Sequence, residues 1–171
     1  MERLPWIERQ FYFDIPTGWL PNILERLHGT GLRLRELTSH LHDHKAALKH
    51  HEKWSIKEHI GHLTDLEALH LGRVSDYIFR EPSLRAADMS NQKTNLANHN
   101  AKPVIILISE FITARNNFIQ HLEKLDDDTL NFASMHPRLK VSIRPVDMAF
   151  FTAEHDDHHL ASIRVLLTAF I

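Results

Sequence analysis

His155 and His159 stand four residues apart in the stretch HDDHH (155–159), directly before the apolar run of Leu160, Ala161, Ile163, Val165, Leu166 and Leu167. Imidazoles at i and i+4 share one face of a helix and can meet at a single metal ion. The HExxH zinc helix uses the same spacing, but here Asp156, Asp157 and His158 fill the interval, so its general-base glutamate is missing. Two ligands do not complete a site: a catalytic zinc centre of this kind takes three protein ligands and keeps one position open. The third ligand must come from a facing helix, and EHIGHL (58–63) offers His59 and His62. His62 is preferred, because it shares a face with Leu66 and Leu69. Gly61 beside it would allow a neighbouring helix to approach closely. The competing reading is a solvated or internally hydrogen-bonded pair, since HxxxH arises readily in a chain with fifteen histidines.

The whole chain narrows the chemistry further. It has 171 residues and no cysteine, which suggests one domain and excludes thiolate ligands, disulfides and a cysteine nucleophile. Its net charge of −2 with histidines neutral argues against a sequence-independent nucleic-acid grip. Five glycines, with no GxGxxG or GxxxxGK[ST], argue against a glycine-rich phosphate cradle. The apolar runs are too short to span a bilayer, and MERLPWIERQFYFD lacks the apolar core of a secretory signal. A cytoplasmic protein without membrane contact is expected.

Four helical segments must position the histidines. The first is expected from Trp19 to His42, with Gly29 and Gly31 kinking or breaking it. The second is expected from Ser55 to Phe79, opened by the capping box of Ser55 and Glu58 and closed before Pro82. The third runs from Pro103 to about Leu125, and the fourth from Pro145 to the C-terminus. On the fourth helix Met148, Phe151, Thr152, His155, His159, Ile163 and Leu166 form one stripe, His158 sits farther round, and Asp156 and Asp157 fall on the solvated side. The polar stretch 83–102 is long for a structureless loop, so it is read as a functional loop over a site or as holding an unplaced short helix. The fold class is all-α, a four-helix bundle over residues 1–171 with one or two crossing connections and a long loop between helices 2 and 3.

Three stretches resemble the DinB/YfiT-like metalloprotein superfamily: ERLHGTGLRLREL (25–37), WSIKEHIGHLTDLE (54–67) and HPRLKVSIRPVDMAFFTAEHDDHHLASIR (136–164). They occur in the family's order and span most of the chain. The resemblance implies a four-helix bundle, often a homodimer, with a divalent metal held by His62 of the gHL motif and by His155 and His159 of the HxxxH motif. Zinc or nickel is the implied metal. The implied reactions are hydrolysis and thiol S-transfer with a low-molecular-weight thiol as cosubstrate, acting on a small-molecule substrate.

Three neutral imidazoles would leave a bound ion its full charge, so that a coordinated water or thiol ionises near neutral pH. Any thiol must be a small molecule, because the chain has none. The expected function is thus a metal-dependent hydrolase or thiol-transferase, against the alternative of a non-catalytic metal-binding or dimerisation bundle. No general base is named by the pattern. Asp65 and Glu58, one turn either side of His62, are weak candidates, equally readable as solvated carboxylates or as acceptors that orient a ligand imidazole. Arg164 reads as a surface ion-pair partner more than an anion contact. Trp54 reads as a staple against the bundle, and the histidines of 40–51 as a solvated loop. Glu67 and His70 form an ExxH, but the di-iron bundles that use this motif need a second ExxH and two further glutamates facing in, and no second ExxH is expected here.

Overall fold

The computed structural model describes residues 4–169. Four long helices form a bundle: α1 (Leu20–Thr38), α3 (Ile56–Ile78), α5 (Val104–Leu122) and α7 (Pro145–Ala169). Short pieces join them: α2 (Asp43–Ala46), α4 (Gln92–Leu96), α6 (Asp127–Asn131) and a two-residue antiparallel ribbon of β1 (Ser134–Met135) with β2 (Ser142–Ile143). Helix α1 packs on α5 and α7, and α3 packs on the same two, so α1 and α3 are diagonal across the bundle.

Side-chain pairs fix the directions. Arg26 and Arg33 of α1 meet Glu154 and Asp157 of α7 in the same chain sense, so these two helices run parallel. Glu67 and His70 of α3 meet Arg115 and Phe118 of α5, again in parallel. Tyr77 of α3 donates to Ile143 before α7 begins while His59 meets His159, so α3 and α7 run antiparallel. A parallel step from α3 to α5 forces the intervening chain to travel back along the bundle, about 34 Å for a 23-residue helix. That requirement accounts for the length of segment 83–102. The segment holds α4 and a 3₁₀ turn at His99–Ala101 and lies over the site described below.

Several local expectations hold for clear reasons. Ser55 accepts from the Glu58 backbone N–H at 3.1 Å, and Glu58 accepts from the Ser55 N–H at 2.8 Å, closing the capping box. The structure adds a cap at Asp126, whose side chain accepts from the Thr129 N–H at the start of α6. Helix α1 differs from expectation: it ends at Thr38 and runs unbroken through Gly29 and Gly31. Gly31 serves packing instead, because a Cβ there would stand 2.5 Å from the Ile112 side chain of α5.

The core lies in two apolar clusters. One gathers Leu24, Leu27, Tyr77, Phe118 and Met148; the other Leu34, Ile60, Phe111, Leu107 and Ile163. Between them sits a buried polar layer. Arg115, 2% exposed, donates to Glu67 at 2.6 and 3.0 Å and to Asp156 at 3.0 Å, and Asp156 also accepts from Thr30 at 2.8 Å. This corrects the solvated placement of Asp156, which is fully buried. The wheel misplaces it because α7 is contacted on two faces, by α1 and by α3. Arg115 holds the Glu67 carboxyl down to about 2, against the burial that would raise it.

Candidate metal centre and its cavity

Helix α3 carries His62 and helix α7 carries His155 and His159, and their antiparallel packing brings the three rings together. One nitrogen from each falls within 4.8 Å of the others. His62 and His159 are buried and His155 is half-buried. The His155 and His159 Nε2 atoms are 3.1 Å apart. Two nitrogens bound to one tetrahedral zinc at 2.0–2.1 Å would be about 3.3 Å apart, so the observed spacing fits a shared ion. Among the described residues no other group of three such donors is present.

The surrounding hydrogen bonds select ring orientation. Thr94 Oγ1 lies 3.0 Å from His62 Nδ1 and 3.0 Å from Asp65 Oδ2. A carboxylate only accepts, so the single hydroxyl proton goes to Asp65 and the hydroxyl oxygen accepts from His62 Nδ1–H. That assigns the His62 lone pair to Nε2. Asp65 also accepts from His99 Nε2 at 2.8 Å, and His99 packs so close to α3 that a Cβ on Gly61 would stand 2.2 Å from its ring. Gly61 therefore does permit a close approach, by a side chain of the crossover rather than by a helix. On the other flank, His59 Nδ1 lies 2.8 Å from His159 Nδ1, which supports the ring from behind. His155 Nδ1 is buried with no hydrogen-bond partner among the described residues.

Burial keeps these rings neutral. It pushes His62 down to about 4, with Asp65 pulling the other way. Burial, followed by the neighbouring imidazoles, lowers His155 and His159 well below the usual histidine value. A neutral imidazole is the form that ligates a metal, so the donor set, its spacing and its protonation suit one divalent cation.

The three histidines form one wall of a cavity of about 540 Å³. The crossover closes it with Ala86, Ala87, Asp88, Met89 and Asn91, and the 3₁₀ turn Trp6–Glu8 lays Trp6 and Ile7 across another side. Trp54 has a larger role than stapling. It lines the cavity, its ring lies 4.6 Å from His62 and 6.1 Å from His159, and its Nε1–H donates to Asn95 at 3.1 Å. It stands one residue before the helix cap and five before His59, with the two ring centroids 5.7 Å apart. Thr94, Trp6 and Arg138 were not foreseeable, because each reaches the site from a distant part of the chain.

Neither carboxylate candidate lines the cavity. Glu58 is held by the capping box and by Lys49 at 2.8 Å, and Asp65 lies behind His62 under Thr94 and His99. Arg164 is exposed and outside the cavity. His40, His42, His44, His50 and His51 are all exposed, as expected for that loop. Glu67 and His70 belong to the Arg115 layer. A second ExxH, Glu25 with His28, does exist, but both residues are exposed on α1.

Comparison with known proteins agrees with this architecture. The family model of the DinB superfamily matches residues 26–163. No curated protein matches the sequence. Among solved structures, the fold is similar to YfiT from Bacillus subtilis, described as a probable metal-dependent hydrolase with an unusual four-helix bundle topology. The TM-score is 0.81 at 16% identity, over 95% of this chain and 94% of that one. It is also similar to a mycothiol-dependent maleylpyruvate isomerase, with a TM-score of 0.68 at 9% identity, over 88% of this chain and 61% of that one. No helix among the described residues is long and apolar enough to cross a membrane.

Proposed function

The chain belongs to the DinB superfamily, and we propose that it is a metal-dependent enzyme acting on a small molecule, with one divalent ion, zinc or nickel, held by His62, His155 and His159. The observation that carries this reading is the convergence of three neutral imidazoles on one wall of a 540 Å³ cavity. When bound, the ion supplies a Lewis acid that ionises a coordinated water or small-molecule thiol near neutral pH. The first route leads to hydrolysis and the second to thiol transfer. Two structural relatives support these chemistries in kind: YfiT is described as a probable metal-dependent hydrolase, and the other as an isomerase that depends on the thiol mycothiol.

The chain's own residues do the rest. Thr94 and Asp65 hold His62 in the tautomer that offers Nε2, and His59 supports His159. Both are positioning roles. Trp54, Trp6 and the crossover line the cavity beside the histidine wall and reduce the water that reaches it, which strengthens electrostatic interactions inside. Asp65 contributes through His62 rather than by touching a substrate.

The test is elemental analysis of the purified, untagged chain, with His62→Ala and His159→Ala as variants. The expected result is about one transition-metal ion per wild-type chain, lost in both variants. Full metal in the variants would move the site to the exposed histidines of 40–51. No metal after reconstitution with zinc and nickel would overturn the enzyme reading. A loaded protein that turns over no ester, amide or thiol-electrophile pair would favour a non-catalytic metal-binding bundle.

A further inference from the structure

The cavity continues beyond the histidine centre to a second group of polar side chains. Arg73 of α3, Arg138 and His136 all line it. Arg73 is buried, and among the described residues its one hydrogen bond is from Nε to the Arg85 carbonyl at 3.2 Å. The carboxylate nearest on its own helix, Asp76, is already taken by Arg85 at 2.6 Å. Arg138 has its guanidinium 5.7 Å from the Phe151 ring centroid, and its Nη2 is buried without a partner. Among the described residues neither arginine forms an ion pair. The acid on the same cavity wall, Asp88, is exposed and accepts from the Ser90 and Gln92 backbone N–H groups instead.

His136 completes the group. Its Nδ1 accepts from the backbone N–H groups of Arg138 and Leu139 at 3.3 and 3.1 Å, so its proton resides on Nε2. That Nε2 is buried and unpartnered. Burial, then Arg73 and Arg138, pushes its pKa down to about 4, which makes it a neutral donor. Neither guanidinium has a carboxylate partner among the described residues, and Arg138 Nη2 and His136 Nε2 are buried donors left unmet beside the cavity; such donors are costly unless something fills them. Arginine forks suit planar or tetrahedral oxyanions.

We propose that Arg73, Arg138 and His136 form an oxyanion subsite that binds the carboxylate or phosphate of an elongated small molecule whose other end reaches the three-histidine centre. Arg73 lies three helical turns beyond His62, about 16 Å along α3, and its side chain leans back towards His62 because Cα–Cβ bonds tilt to the helix N-terminus. The two ends of the ligand are therefore separated by on the order of 10 Å, the length of an eight-carbon chain. The one-ligand part of the proposal rests on the metal reading; the subsite itself does not.

Titration calorimetry on the full chain tests both parts. In metal-stripped protein, octanoate and octyl phosphate are compared with 1-octanol. At least one oxyanion should bind tenfold or more tightly than the alcohol. Arg73→Gln and Arg138→Gln should each remove that advantage while leaving octanol affinity unchanged. Equal binding of all three probes, or an advantage that survives both variants, overturns the subsite. Arg138 is half-buried, so its variant keeps the test valid if the Arg73 variant fails to fold. In zinc-loaded protein, 8-mercaptooctanoate should bind at least tenfold more tightly than octanoate. No gain there would overturn the one-ligand arrangement. A chain that takes up no zinc would sink the metal reading, and the octanoate comparison would still decide the subsite.

Discussion

Asp156 and Asp157 are neighbours on α7 and both face arginines, yet their removal should have very different consequences. Asp156 is fully buried, and its carboxylate accepts from Arg115 and from Thr30. Asp156→Ala leaves an Arg115 Nη1 donor without its acceptor in a place water does not reach, and leaves the Thr30 hydroxyl only the more distant Arg26 carbonyl at 3.4 Å. Glu67 still balances the Arg115 charge, so the cost falls at the low end of the range for breaking a buried ion pair, about 3 kcal/mol. For a chain of this length that lowers the melting temperature by about 8 °C. Asp157 pairs with Arg26 and with Arg33 at 2.6 Å, but its side chain is 35% exposed. Water screens the pair and solvates the arginines once it is lost, so Asp157→Ala should cost about 1 kcal/mol or less, under about 3 °C. Urea melts of both variants at pH 7 provide the measurement, with m-values compared to confirm that the unfolding reaction is the same. Similar destabilisation by the two variants, or a loss below about 1 kcal/mol for Asp156→Ala, would refute the reasoning that burial decides the worth of an ion pair here.

Other consequences can be checked separately. Thr94→Val keeps the shape but removes the acceptor for His62 Nδ1–H, so zinc affinity by competition with a chelating dye should fall about 10- to 100-fold, with little change in melting temperature. Gly61→Ala places a methyl where the His99 ring sits; it should cost about 1–3 kcal/mol by overpacking, and the NMR signal of the His99 ring should shift with it. Glu67 is held at about 2 in the folded chain against a usual 4.5. Since the folded value is the lower one, its contribution is complete above about pH 4.5 and is lost as pH falls towards 2. Denaturant melts between pH 5 and 2 should show this loss, and Glu67→Gln should have a shallower slope there; equal slopes would refute it.

Much of the architecture was already visible in residue spacing. The four long helices follow from apolar recurrence at three and four residues, and their limits from local chemistry, such as the Ser55–Glu58 cap, Pro103 and Pro145. The pairing of His155 with His159 is likewise local, because one helical turn and a little more separates them whatever the rest of the chain does. The choice of His62 over His59 required only the direction of an apolar face. Asp156 shows where that logic stops. A helical wheel assumes one buried face, and α7 is covered on two.

What only tertiary structure decided is everything that depends on the order of helices around the bundle. The parallel step from α3 to α5 makes the crossover long and carries Thr94, His99 and Met89 back over the histidines. No periodicity in that polar segment signals the return, since its residues satisfy themselves through turns and through contacts with α3. Asp65 thus becomes a support for His62 by way of a hydroxyl 29 residues distant, and Trp54 becomes a wall. Arg73, Arg138 and His136 converge for the same reason: the first is fixed to α3, while the other two arrive on the connection into α7. Local spacing determines which residues share a helix face; only packing determines which faces share a cavity.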